Sequence, residues 1–349
     1  MATPSLTGMT VEELNANGLR IHNEIINGNY PVNGFLSLQE EVNGKGAPNY
    51  PDATDRLIPA EFGDHSDPTE LITGYEPINL NVRQVFDQQF RYQWWFVTYP
   101  VVISSVEQDK NAGKERIFDL QKKRIENVQR AAFRRLERHM LSGAESGHSR
   151  LNTLNGIDWP TGYFEAAAPG AQSHSIGGLS KSSYYAYPLL ENQYYNCAGS
   201  VNANGVEALE QIQAQIGIRS TEPDSPAGWI MSPNARAAFG RLAKATVVTQ
   251  ATEKQLNLLM PDIIVGNARI RMSPYMPLTG TTSATTKVSG YRIAPKHQPL
   301  CYMKDRYFNM DEWRFAQGTK TIVCQIDTVA QFMPTMMATA AVLSNAESY

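Results

Sequence analysis

This 349-residue chain is short of the features that usually announce chemistry. It has three cysteines, Cys197, Cys301 and Cys324, widely spaced and in no CxxC or Cys/His pattern. That count excludes a disulfide framework and fits reduced, mostly buried thiols in a cytoplasmic setting. The six histidines, at 22, 65, 139, 148, 174 and 297, fall in no HExxH or HxH spacing. A phosphate loop of the GxxxxGK[ST] type is missing, and Gly44-Lys45-Gly46 does not replace it. Gly143-Ala144-Glu145-Ser146-Gly147 lacks the GxSxG order of a nucleophile elbow. No apolar run nears the ~20 residues of a membrane span, and MATPSLTGMT lacks the basic-then-apolar pattern of a signal peptide. Asp64-His65-Ser66-Asp67, with Glu70 beyond, could hold a hard cation, but it reads better as a solvated loop. No cofactor, metal site or catalytic residue is expected.

Charge is also sparse. Charged residues make up 19% of the chain, which is low for a globular protein and fits surface hidden in subunit contacts. The net charge is −3, so whole-protein attraction to a polyanion is not expected.

What is present concentrates in residues 78–142. Ile78, Leu80 and Val82 alternate with Asn79, Asn81 and Arg83, the period of a half-buried strand. After Arg91, the run Tyr92 to Tyr99, with Trp94, Trp95 and Phe96 at its centre, is β-prone on both faces. Asp87-Gln88-Gln89 is placed to turn between the two. A two-stranded ribbon is marginal alone, so its aromatic faces need a neighbour, within the chain or on another subunit.

From Lys114 to Leu141, Ile117, Leu120, Ile125, Val128, Ala132, Leu136 and Met140 form one apolar stripe, and Gly143 offers a stop. The helix would be roughly 40 Å long. Nine Lys or Arg, among them Arg124, Arg134 and Arg135, stand against four acids. The helix therefore carries about +5 and the rest of the chain about −8. An acidic surface or phosphate is expected nearby; a solvated face is the plainer alternative.

Elsewhere, Thr10 and Glu13 form a capping box for a short helix over roughly 11–27, followed by Asn-, Gly- and Pro-rich sequence to Pro51. Val206, Leu209, Ile212 and Ile216 mark a short amphipathic helix ended by Gly217. Ser232-Pro233 opens another helix, with Phe239 and Leu242 inward. Ile263 to Val265 and Ile270 to Met272 read as short strands around Gly266-Asn267, and Ile322, Cys324 and Ile326 alternate as a strand. Residues 279–289 read as a loop. The basic and aromatic run Lys304 to Phe315 could stack on nucleic acid, but core or interface packing suits it better.

The order of these parts resembles the tailed-phage major capsid protein family, the Hong Kong 97 fold. Gly177-Gly178-Leu179-Ser180-Lys181-Ser182-Ser183, followed by Tyr184 to Gln193, is similar to a Gly-x-x-Arg-Ser-aromatic stretch of that family, with Lys181 in place of Arg. Trp229 to Pro233 resembles a strand entering the axial-domain helix. The resemblance implies an α+β fold. Its parts would be an N-terminal arm (1–50), an extended β-hairpin loop (51–105) and a peripheral domain (106–227) with a spine helix at 106–142. An axial domain (228–299) and closing peripheral strands (300–349) would complete it.

The implied role is non-enzymatic: a self-assembling subunit of the hexamers and pentamers of an icosahedral shell around packaged double-stranded DNA. It would act in the virion capsid and be assembled in the host cytoplasm. Implied partners are other copies, a scaffolding protein, a portal protein and a possible decoration protein, with no membrane. Trp94, Trp95, Phe96, Arg124, Arg134 and Arg135 are the expected contact residues. Residues 51–105 contain no Lys, so an isopeptide cross-link from the loop is not expected. About fifty residues precede the loop, fewer than a fused scaffold needs, so a separate scaffolding protein is implied. An encapsulin-like compartment shell shares the fold and is the nearest alternative; a soluble hydrolase with a dispersed site is the distant one.

Overall fold

The computed structural model describes residues 15–16, 34–46, 48–51, 56–60, 88–92, 94–104, 114–142, 164, 167–172, 175–180, 188–197, 201–220, 222–247, 264–265, 268–276, 288–316 and 321–346. Two six-stranded sheets organise them, each with its own helices.

The first sheet is built around β15 (Thr321–Phe332), the longest strand. The alternation at Ile322, Cys324 and Ile326 holds: these three are buried while Thr321, Val323 and Gln325 are half-buried. Along one side β15 pairs antiparallel with β4 (Trp95–Ser104) over ten residues, from Thr321 opposite Ser104 to Ala330 opposite Trp95. Along its other side lie β12 (Leu300–Met303), β13 (Asn309–Met310) and β14 (Arg314–Phe315). β1 (Asn49–Tyr50) closes the far edge, parallel to β12.

The pairing corrects one expectation. Residues 78–83, expected as the strand beside the aromatic run, lie outside the described residues; the run's own strand spans Trp95–Ser104 and binds a partner more than two hundred residues downstream. Gln88 and Gln89 are not in a turn but in β3 (Gln88–Tyr92), which pairs with β2 (Arg56–Ala60) as a separate two-stranded ribbon. A ribbon does form inside the expected extended loop, from different strands. Its base is seated: Phe90 and Tyr92 are buried, and the Arg91 amide donates to the Gly177 carbonyl at 2.8 Å. Gly177 and Gly178 sit at φ 52° and 86°, turning β5 (Ser175–Ile176) into β6 (Leu179–Ser180) in a backbone region suited to glycine.

Among helices, the long one is present as α2 (Lys114–Ser142). It lies on the inner face of the first sheet, where the Tyr99 hydroxyl reaches the Ala132 carbonyl at 3.4 Å. Residues 106–113, expected to begin it, lie outside the described residues. So does the expected 11–27 helix, apart from the helical Asn15 and Ala16. The supposed tail of the arm contains α1 (Gly34–Asn43), a helix that the Asn- and Gly-rich surroundings concealed.

The second sheet runs β7 (Gln193–Asn196), β16 (Ala341–Ser344), β11 (Val288–Ile293), β8 (Ala227–Met231), β10 (Ala268–Met272) and β9 (Ile264–Val265). Against it pack α3 (Val201–Arg219) and α4 (Pro233–Val247) around Trp229, Phe239, Leu209, Ile212 and Ile216. The Ser232 hydroxyl caps α4, accepting from the Ala235 amide at 3.2 Å. Helix α3 is longer than expected and runs through Gly217, because its apolar side is held against the sheet. The sheet takes β7 and β16 from outside residues 228–299, and α3, which packs on it, also precedes that range.

Helix α1 joins the parts. Both oxygens of the buried Glu137, on α2, accept from the first amides of α1, Phe35 and Leu36, at 3.0 Å each. Gln39 donates to the Gln298 carbonyl at 2.8 Å and accepts from the Leu300 amide at 3.1 Å. Arg271 of β10 donates to Ser37 at 2.8 Å and pairs with Glu41. Leu38 lies against Gly228 of β8, where a Cβ would come within 2.7 Å of it.

Candidate functional site

Among the described residues, chemistry of a catalytic kind has one candidate. Ser225 Oγ lies 2.8 Å from His297 Nε2, and Glu222 Oε2 lies 3.3 Å from the same nitrogen. A hydroxyl nucleophile needs its base and its orienting acid on opposite ring nitrogens. Here hydroxyl and carboxylate crowd one nitrogen, Ser225 also donates to Glu222 at 3.3 Å, and Lys296 holds the same carboxylate at 2.5 Å. Lys296, foremost, holds the Glu222 carboxyl below its usual range, while burial lowers His297. The cluster is an ionic latch between the loops before β8 and after β11. Among the described residues no group of His, Cys, Asp and Glu could hold a metal, and no helix is long and apolar enough to cross a membrane. Cys197, Cys301 and Cys324 are all buried, as expected. Two aromatics of 304–315 turn inward: Phe308 and Trp313 are buried, and Phe308 meets Phe133 of α2 at a 4.1 Å ring separation, while Tyr307 is half-buried and Phe315 exposed.

Contact surface is the richer finding. Strand β4 separates its side chains by face. Trp95, Tyr99, Val101 and Ile103 point into the core beneath α2, and Phe96, Thr98, Pro100 and Val102 point out. Val323, Gln325 and Asp327 of β15, half-buried, continue the outer face through their pairing with Val102, Pro100 and Thr98. Phe96 is 63% exposed and Val102 46%. Among the described residues β4 pairs on one side only, so this face ends in a ten-residue edge strand interrupted by Pro100. An edge of that kind, if left bare, invites another chain.

The expected contact residues therefore divide. Trp95 is 3% exposed and belongs to the subunit's own core, so it cannot be an anchor for a neighbour in this conformation. The reason is register: the odd positions of β4 face α2. Trp94 precedes the strand and is partly buried against the same core. Only Phe96 presents its ring outward. On α2, Arg134 and Arg135 are exposed and Arg124 is half-buried. The helix also carries Glu137, whose capping role the sequence did not signal; its isolation among basic neighbours was the one hint. Burial pushes the Glu137 carboxyl up to about 7, against the opposing pull of the Phe35, Leu36, Ser273 and Gly34 donors.

No family model matches the chain, and no curated protein does. Solved structures do. The capsid asymmetric unit of cyanophage A-1(L) superposes with a TM-score of 0.58 at 10% identity, covering 92% of this chain and 94% of that one. The capsid of an empty GTA particle gives 0.51 at 12% identity, covering 91% of each. The fold is that of the tailed-phage major capsid proteins. The holo-SrpI encapsulin complex of Synechococcus elongatus PCC 7942 is also similar, at 0.44 and 15% identity over 75% of this chain and 77% of that one. The correspondence with the first two runs along almost the whole of both chains.

Proposed function

We propose that the protein is the major capsid protein of a tailed double-stranded DNA bacteriophage. Its copies form the hexamers and pentamers of an icosahedral shell, assembled in the host cytoplasm with a scaffolding protein and closed by a portal. A decoration protein could add to its outside. The role is mechanical, not catalytic. The observation that carries this reading is the near end-to-end correspondence with phage capsid subunits.

The outer face of β4 and β15 supports it. Phe96, Pro100 and Val102 lie on one open sheet surface that a lone soluble subunit would have reason to cover. Covering Phe96 and Val102 at about 25 cal/mol per Å2 gives on the order of 1–3 kcal/mol per contact. That is weak for one pair of subunits and ample when repeated over a closed lattice. In this reading Phe96 keeps the contact role expected of it, and Trp94 and Trp95 hold up the strand that presents it. Electron microscopy of the expressed protein, alone and with scaffold, tests the reading. Shells, tubes or capsomers are expected; a uniform 39 kDa monomer under both conditions overturns it.

A further inference from the structure

Helix α2 carries a second surface, remote in character from the first. Among its described side chains, Lys122, Lys123, Arg130, Arg134, Arg135 and Arg138 are exposed, and no acid is. Glu137 is buried under α1, and Glu126 is half-buried beside Arg130 at 3.7 Å, a surface pair of little strength. Lys123, Arg130, Arg134 and Arg138 follow one another at seven, four and four residues, so they share one side of the helix. From Lys123 to Arg138 the row spans ~22 Å. Because α2 covers the inner face of the first sheet, the row looks away from the open face of Phe96 and Val102.

We propose that this row is a phosphate-backbone surface for double-stranded nucleic acid, and that it marks the side of the subunit turned toward the shell's contents. The inference rests on the shell reading above for that sidedness, but not for the binding. A duplex presents a continuous line of negative charge, and ~22 Å of its axis covers about six to seven base pairs. An acidic patch on a second copy is the other conceivable occupant. The described acids outside the core form no row along one element: Glu207 and Glu210 occupy one turn of α3, Glu41, Glu222 and Asp327 hold cations of their own chain, and Asp224, Asp305 and Glu312 lie in loops. Lysine and arginine side chains from a single helix side bind phosphates and leave base edges unread, so the binding is indifferent to sequence.

The test is fluorescence anisotropy of the full chain with 30-base-pair duplexes of two unrelated sequences, titrated across salt. Both duplexes should bind alike, and log K should fall linearly with log salt. The K123Q/R130Q/R134Q variant should flatten that slope by about 2.7, at ~0.9 for each phosphate no longer neutralised. A control variant of equal charge change, R241Q/K304Q/R306Q, should leave the slope as it was. Circular dichroism melting confirms that both variants fold. No duplex binding at low salt, or equal flattening by the two variants, overturns the proposal. So does a triple α2 variant that binds duplex normally but no longer assembles, because the row then contacts another copy. If the wild-type chain binds duplex through α2 yet never assembles, the binding surface stands and the shell reading fails.

Discussion

The two faces of the first sheet share every strand and differ in almost everything else. The inner face is sealed: Tyr99, Val101 and Ile103 lie under α2, and α1 pins that helix in place through Glu137. The outer face, one residue along the same strand, is left to Phe96, Thr98, Pro100 and Val102 with nothing of the described chain on top. Strand alternation thus gives one ten-residue segment two duties, one inside the subunit and one outside it. Hydrophobicity alone does not separate them, since Val101 and Val102 are the same residue.

The contrast can be broken in order of effect. Ile103→Ala removes a buried side chain from the sealed face and should cost about 2–5 kcal/mol of subunit stability by denaturant unfolding. Glu137→Gln should cost about 1–3 kcal/mol, because an amide cannot accept from both the Phe35 and Leu36 amides. Its pH dependence has a definite sign. The folded carboxyl titrates near 7, above its ordinary 4.5. Wild-type stability from this group is therefore full below pH 4.5 and lost as pH rises through 7. The gap between wild type and Glu137→Gln should accordingly narrow over that window; a gap that widens instead refutes the assignment. Phe96→Ser with Val102→Ser should change subunit unfolding by no more than about 0.5 kcal/mol while lowering the yield of assembled particles seen by sedimentation. If assembly is unaffected, the open face is not a contact.

Much of this was legible beforehand. The stripe of α2, the Ser232 cap of α4 and the alternation of β15 are local patterns, and each appears where its period or its capping residue placed it. Strand pairing was not legible, because the partner of β4 lies beyond residue 320 and nothing near Trp95 points there. Nor could the sequence decide the face of Trp94, Trp95 and Phe96: a run that is apolar at consecutive positions carries no alternation to read. Helix α1 escaped because ten residues supply few turns of pattern. Its apolar set of Phe35, Leu36, Leu38 and Val42 makes sense only once Gly228, Glu137 and Leu300 surround it.

Helix α1 also sets a schedule. It is made before all of its partners, Glu137, Arg271, Gln298 and Leu300, the last two about 260 residues away. Contacts of such long sequence separation form slowly and only after the intervening chain exists. Until then the N-terminal segment has no seat, and the two sheets have no common clasp. A nascent chain cannot therefore become a finished building block part by part. Only a chain made at least as far as Leu300 can seat α1, so a shorter fragment lacks the clasp between its two sheets and would make a poor block for any wall.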